Sequence, residues 1–230
     1  MAKKEVVEGI FNDIAPKYDL LNHLLSLNID KGWRRKAMRC VEEDGKGHLL
    51  DVACGTGDFS IAACRAGVRQ VTGIDISANM VNIGRKKVAE AGLAGQIDLR
   101  SGDSEAMEFS DNTFDTVTVA FGVRNFEHLE QGLREMYRVL RPGGKVIILE
   151  FSMPEHFPMK QLYKFYFRRV LPVVGGWVSG NRGAYTYLPE SVMKFPQGRA
   201  FLDIMARCGF QGAARHKLTF GIASLYTGKK

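Results

Sequence analysis

Apolar residues in this chain fall into short runs divided by turn residues, with amphipathic stretches between the runs. Leu49-Leu50-Asp51-Val52-Ala53 reads as a buried strand; Gly55-Thr56-Gly57 breaks it, and a helical pattern begins at Asp58. Val71 to Ile74, ending in Asp75, reads as a second strand, after which Ser77 caps a predicted helix to about Ala91 with Met80, Ile83 and Val88 facing inward. Ile97 to Arg100 is a third strand, Phe114 to Phe121 alternates as a fourth, and Lys145 to Phe151 is the fifth. The segment Leu129 to Leu140 is amphipathic, and Arg141-Pro142-Gly143-Gly144 stops it. A helix over Arg199 to Cys208 and strands over Ala213 to Lys217 and Gly221 to Tyr226 complete the pattern. Strands and helices in alternation predict an α/β fold: a doubly wound, mostly parallel seven-stranded sheet with helices on both faces.

Two segments stand outside this winding. Residues 1–45 carry a helical pattern through Ile10, Ile14, Leu20, Leu21, Leu24, Leu25 and Leu27, with no glycine strand turn, and are expected to form a helical cap. Residues 152–196 are irregular, rich in aromatics, and hold five of the seven prolines, which predicts a cover inserted into a core made of 46–151 and 197–230. At 230 residues the whole is expected to be one domain. Its longest uncharged apolar run in the cover, Val170 to Val178, is well short of the roughly 18–20 residues that cross a bilayer.

Composition changes this picture at two points. The four cysteines, Cys40, Cys54, Cys64 and Cys208, form no C-x-x-C pair and no signal peptide precedes them, so reduced thiols in a cytoplasmic protein are expected, with no metal. The net charge of +7 is uneven: residues 151–230 hold 12 Lys/Arg against three acids. That basic third predicts an acidic partner surface, either anionic membrane or nucleic acid.

The candidate chemistry lies at the glycine turn, since ligands bind where backbone can approach closely at a strand end. Gly55-x-Gly57 has two glycines of a dinucleotide fingerprint, but Ser60 replaces the third, and Asp51 would repel a pyrophosphate while suiting a cation. S-adenosylmethionine is such a cation and carries no phosphate. D-x-A-C-G-T-G resembles the first motif of class I S-adenosylmethionine-dependent methyltransferases, a Rossmann-like class. Asp75, at the end of the second strand, is placed to accept the ribose hydroxyls. In that class an acid after the third strand contacts the adenine amino group, and Asp103 stands in the matching place; an exposed turn Asp is the competing explanation.

Further stretches narrow the resemblance. Y-D-L-L-N-H-L-L-S with the later W-R-R, F-G-V-R-N, R-V-L-R-P-G-G-K-V-I-I-L-E-F-S-M-P and A-Y-T-Y-L-P-E-S-V-M-K-F-P are similar to signatures of the ubiquinone/menaquinone biosynthesis C-methyltransferases, from about Phe11 to the C-terminus. The resemblance implies methyl transfer to a ring carbon of a polyprenylated quinol, demethylmenaquinol or also a benzoquinol of the ubiquinone pathway. It maps cofactor contacts onto Thr56, Asp75, Asp103 and Ser104, with Gly55 and Gly57 shaping the loop. At Ala120, where some members carry a hydroxyl residue, only backbone is on offer.

Such a reaction needs an electron-rich ring carbon, so a cation near the ring oxygen would help. Arg124 is the candidate for it, with Asn125 as a donor beside it; a structural ion pair is the alternative for Arg124. Tyr18, Asp19 or His23 could relay the proton. A polyprenyl tail implies a visit to the inner membrane face, for which Lys160, Lys164, Arg168 and Arg169 with Tyr163, Phe165, Tyr166 and Phe167 are the expected docking residues. The aromatics packing inward is the alternative. A homodimer is left open. Competing readings are another small-molecule or sterol-type methyltransferase, and a nucleic-acid-binding protein. Against the latter, the aromatics sit in a proline-rich cover rather than on basic strands.

Overall fold

The computed structural model describes residues 3–18, 28–44, 47–166, 169 and 182–230. Of the residues singled out above, Leu20 to Leu27 (Asn22 and His23 among them), Asp19, Phe167, Arg168 and Val170 to Val178 lie outside the described residues.

Seven strands form one sheet: β1 (His48–Val52), β2 (Gln70–Asp75), β3 (Ile97–Ser101), β4 (Phe114–Ala120), β5 (Leu140–Phe151), β6 (Gln211–Leu218) and β7 (Ala223–Lys229). Their spatial order is β3-β2-β1-β4-β5-β7-β6. The first five are mutually parallel, and β7 runs antiparallel between β5 and β6. The order reverses between β1 and β4. That switch point leaves a crevice beyond the carboxyl ends of the strands, which is where ligands bind in open α/β sheets.

Both faces are covered, as runs of apolar strand residues require. Successive strand side chains alternate: Leu49, Val71, Ile147 and Leu149 join the core on one face, and Leu50, Val52, Val119 and Ile148 the core on the other. The first face packs against α2 (Ile29–Asp44), α3 (Asp58–Arg65) and α4 (Ala78–Glu90) through Trp33, Met38, Phe59 and Val88. The second packs against α5 (Leu129–Val139) and α8 (Arg199–Arg207) through Leu133, Met136, Phe201 and Met205. Ser77 caps α4 as its sequence predicts, accepting from Met80 N at 3.2 Å. Ile83 differs from expectation: it is half-buried, while Val81 and Gly84 fill the inward positions with Met80 and Val88.

Outside the sheet, α1 (Lys4–Ile14) lies beside α4, and α6 (Met159–Phe165) and α7 (Arg182–Lys194) belong to the predicted cover. α1 is fastened by Asn12, whose Oδ1 accepts from Ser77 Oγ at 2.7 Å. The strand predicted from Lys145 instead begins at Leu140: the Arg141-Pro142-Gly143-Gly144 stretch is carried as a register shift between Phe114↔Leu140 and Thr116↔Lys145. Gly143, at φ 78°, absorbs that excursion, and its N–H donates to Lys230 O at 2.9 Å.

Candidate active site

The crevice at the switch point is walled by the turns that leave β1, β2, β3 and β4. After β1 the chain must reverse within a few residues, and Gly55 and Gly57 do so at φ 56° and 79°. Gly57 has a second reason to lack a side chain: a Cβ there would stand 3.0 Å from Leu99 Cδ1. Ala53 and Phe121, just past the ends of β1 and β4, also take left-handed conformations, at φ 52° and 59°. Such backbone is costly with a side chain present, and both residues wall the cavity.

The cavity has two compartments that share Tyr18, Ala53, Gly55, Ala120 and Phe121 as walls. The larger, about 690 Å³ out to its mouth, holds Asp75, Asp103 and Ser104 with an apolar wall of Met80 and Phe126, and Asn125 at one side. The smaller, about 360 Å³, holds Asp51, Thr56, Asp58 and Arg34.

Two carboxylates in this cavity lie deep. Asp75 accepts from Gly55 N at 2.8 Å and Ser77 N at 2.9 Å. Burial still raises its pKa, against the pull of those two bonds. Asp51 is fully buried and accepts from Ser60 Oγ at 2.6 Å and Thr118 Oγ1 at 3.1 Å. Burial pushes it up to about 6, opposed by Ser60 and Thr118. Neither has an ion-pair partner among the described residues, although the nearby Arg34 charge also pulls the Asp51 pKa down.

Asp103, the acid expected at the adenine amino group or else an exposed turn Asp, has partners on both carboxylate oxygens. Its Oδ2 receives Lys4 Nζ of α1 at 2.7 Å, and its Oδ1 accepts from Glu105 N at 2.8 Å. Lys4 also lies 3.2 Å from the buried Glu105. Val7, Phe11 and Tyr18 continue that wall, so α1 and Tyr18 line one side of the larger compartment.

Arg124 and Asn125 separate in role. Asn125 lines the cavity; the Arg124 side chain does not. Arg124 Nη1 lies 2.8 Å from Glu150 Oε1, with both side chains buried, and also donates to the Phe121 carbonyl. Its Nε donates to Ser191 Oγ at 3.3 Å. Tyr187 OH donates to Asn125 Oδ1 at 2.9 Å, which leaves the Asn125 Nδ2 hydrogens as the free donors. Burial raises the Tyr187 phenol, so it stays a donor at neutral pH. F-G-V-R-N, L-E-F-S and A-Y-T-Y-L-P-E-S, three motifs far apart in the chain, therefore meet in one hydrogen-bonded joint.

The residues expected to dock on a membrane also divide. Tyr163 is buried against Val192 and Tyr166 is half-buried, so these two pack inward. Phe165 at 63%, Leu162 at 58% and the preceding Phe157 at 80% are exposed, beside exposed Lys160 and Lys164. Part of the basic C-terminal charge is spent internally: Arg215 and Lys217 lie 2.9 and 2.6 Å from Glu155, and Arg207 lies 2.7 Å from Glu130. No helix among the described residues is long and apolar enough to cross a membrane.

Sequence reasoning passed over Lys4, Glu105, Glu150, Tyr187 and the placement of Arg34. The W-R-R stretch was the one local signal for Arg34. Lys4 had none, because its partners are about a hundred positions away.

The sheet order and this acid-lined crevice define a class I methyltransferase fold. A solved S-adenosylmethionine-dependent methyltransferase of Thermotoga maritima superposes with a TM-score of 0.68 at 18% identity, over 97% of this chain and 99% of that one. A demethylmenaquinone methyltransferase of Bacteroides fragilis is 48% identical, over 99% of this chain and 94% of its own. The ubiquinone/menaquinone biosynthesis C-methyltransferase UbiE of Geobacter sulfurreducens is 49% identical, over 99% and 90%. Residues 1–230 match the ubiE/COQ5 methyltransferase family, and the chain belongs to it.

S-adenosylmethionine is the cofactor, and the site residues fit it. Asp75 has lone pairs left over that would suit ribose hydroxyls, Met80 and Phe126 are apolar surface that would suit adenine, and Asp51 is a buried carboxylate that would suit a ligand with ammonium and sulfonium groups. This predicts a pH dependence. Because the Asp51 pKa is raised to about 6, free protein below that pH holds a proton that a cationic ligand must displace. Affinity should therefore rise with pH, by up to about tenfold between pH 5 and 7, with about fivefold of it below pH 6, and level off above pH 7. Calorimetry of S-adenosylhomocysteine across that range checks it, and Asp51→Asn, which keeps the shape but cannot ionise, should remove the Asp51 share of the slope.

Proposed function

We propose that this protein transfers the methyl group of S-adenosylmethionine to a ring carbon of demethylmenaquinol, or of the related ubiquinone-pathway benzoquinol, at the inner membrane face. Near-full-length identity with proteins named for that reaction supports the substrate. The observation that carries the reading is the joint at the cavity edge, where Tyr187 OH donates to Asn125 Oδ1 and so reserves the Asn125 Nδ2 as a donor beside the cavity that Asn125 lines.

A sulfonium methyl is already activated, so the work left to the protein is alignment and making the ring carbon nucleophilic. A quinol hydroxyl resembles a phenol, pKa about 10, so roughly one in a thousand is ionised at neutral pH. Asn125 Nδ2 donates to the ring oxygen as charge builds on it, in a site where donors act through low dielectric. Arg124 stands behind Asn125 and fixes the turn through Glu150, and its charge adds to the field there. Tyr18, which lines both compartments, is the described candidate to pass the ring proton on.

This chemistry requires the reduced ring. Turnover should be found with a short-tailed demethylmenaquinol and be at least about a hundredfold slower with the quinone under strictly non-reducing conditions. Equal rates would remove the basis of the mechanism.

The exposed Phe157, Leu162 and Phe165 with Lys160 and Lys164 are the proposed point of contact with the bilayer, where a polyprenyl tail resides. Each basic residue near an anionic surface is worth about 1 kcal/mol, and the effect fades with salt. Sedimentation with anionic liposomes at low salt should lose most of the bound fraction when Phe157, Leu162 and Phe165 are changed to Ser. An unchanged bound fraction would place the contact elsewhere.

A further inference from the structure

We infer that Phe220, at the tip of the turn between β6 and β7, is a second anchor that enters the bilayer interface beside Phe157, so that the protein rests on the membrane at two points and in one orientation. The inference rests on the membrane contact proposed for α6 and adds to it a residue from the far end of the chain.

Thr219 and Phe220 both take left-handed backbone, at φ 44° and 56°, although neither is glycine. Bulky side chains are disfavoured there, so the conformation persists only where its surroundings impose it. Here they do. Trp33 Nε1 donates to Thr219 Oγ1 at 2.7 Å, and the buried Ser152 donates from Oγ to Gly221 O at 2.7 Å and from N to Ile222 O at 2.8 Å. Ile222 N closes the turn on Thr219 O at 3.1 Å. The result is a Phe220 side chain held outward, 78% exposed. A ring so exposed returns little folding energy for the cost of its backbone, whereas a ring already fixed loses little freedom on binding.

The turn is joined to the segment that leads into α6. Pro154 lies against Gly221, where a Cβ would stand 3.5 Å from the Pro154 Cα. Glu155 takes Arg215 Nη1 at 2.9 Å and Lys217 Nζ at 2.6 Å, both from the end of β6. Ile222 packs into the cluster that Tyr163 of α6 forms with Val192. Phe157, just after Glu155, and Phe220, just after Lys217, are thereby tied to one unit. They are the two most exposed large apolar side chains among the described residues, and Lys160 and Lys164 stand exposed on α6 beyond Phe157.

Rings at loop tips with cations behind them suit a lipid interface, where the rings enter among the acyl chains and the cations stay at the phosphates. A stable protein partner would need about 800 Å² of this surface, more than two rings supply at roughly 150–250 Å² each. A second copy paired face to face would also set Lys160 and Lys164 of the two molecules against each other.

Vesicles of mixed phosphatidylglycerol and phosphatidylcholine at low salt test the inference. Phe220→Gly removes the ring and relieves the left-handed backbone, so its melting temperature should equal or exceed that of wild type. Its affinity for the vesicles should fall about tenfold, the partition of one aromatic ring, while turnover of a short-tailed demethylmenaquinol in free solution stays at the wild-type level. Phe220→Trp should bind as wild type does, with its fluorescence quenched by brominated acyl chains well beyond the quenching of wild type. Unchanged vesicle affinity in Phe220→Gly, or an unquenched Trp on bound Phe220→Trp protein, overturns the inference. Should Phe220→Gly melt below wild type, the quenching of Phe220→Trp decides alone. Sedimentation equilibrium without vesicles addresses the other occupant: a wild-type dimer that Phe220→Gly dissociates assigns the turn to a second copy and overturns the inference. If changing Phe157, Leu162 and Phe165 to Ser abolishes binding and Phe220→Gly does not, the membrane contact of α6 stands and Phe220 is no anchor. Wild-type protein that binds no vesicles removes both, which is a distinct result.

Discussion

Glu150→Gln should destabilise the protein by about 3–5 kcal/mol, because it leaves the Arg124 guanidinium buried without its counter-charge. Glu150 is fully buried and does more than balance that charge: its carboxylate also accepts from Arg124 N at 3.2 Å and Phe151 N at 2.8 Å. For a chain of this size such a loss lowers the melting temperature by on the order of 10 °C. Removing both partners, as Glu150→Gln with Arg124→Met, should recover part of the loss, since a buried pair replaced by apolar groups is often near neutral. Turnover should fall in both variants, because Asn125 loses its anchor, while affinity for S-adenosylhomocysteine stays close to wild type. A single variant that melts within a degree or two of wild type would mean that the pair is solvated and that Arg124 is not committed to Glu150.

Asp75→Ala should weaken cofactor binding by about 3 kcal/mol, a hundredfold or more in Kd. Two hydroxyl bonds to an ionised acceptor are lost together, and so is the acceptor for Gly55 N and Ser77 N, which lets the glycine turn relax. Asp75→Asn should cost less, since its carbonyl oxygen still accepts. Calorimetry with S-adenosylhomocysteine measures both, and an unchanged affinity in Asp75→Ala would separate Asp75 from the ribose.

Most of the sheet is legible in the sequence because its determinants are local. The apolar runs at β1 and β2, the alternation at β4 and the breakers between elements each lie within a few residues. The glycine turn and its two acids are legible for the same reason, since strand ends place Asp75 and Asp103 without reference to distant contacts. What the sequence conceals is set by tertiary pairing. Lys4 on Asp103 and Arg34 on Asp58 come from helices whose periodicity shows which face is apolar but not which cavity the helix overlies. The ion-pair alternative for Arg124 likewise depended on Glu150, 26 positions away and inside an apolar strand run. β5 extends back through a Pro-Gly-Gly break because the chain's last residue pairs with that break, which no window around residue 142 contains. Tyr163 reads as one more exposed aromatic of α6, yet it packs inward against Val192. Helical periodicity over so short a segment does not distinguish its two sides.

Ring C-methylation can be followed atom by atom. Purified protein is incubated with S-adenosylmethionine bearing a deuterated methyl group and a short-tailed demethylmenaquinol under anaerobic conditions, and the product is resolved by mass spectrometry and proton NMR. One labelled methyl should appear on the ring carbon, with loss of that ring proton's signal and one S-adenosylhomocysteine formed per methyl transferred. A labelled methyl on a ring oxygen, or S-adenosylhomocysteine formed without a methylated ring, would contradict ring C-methylation.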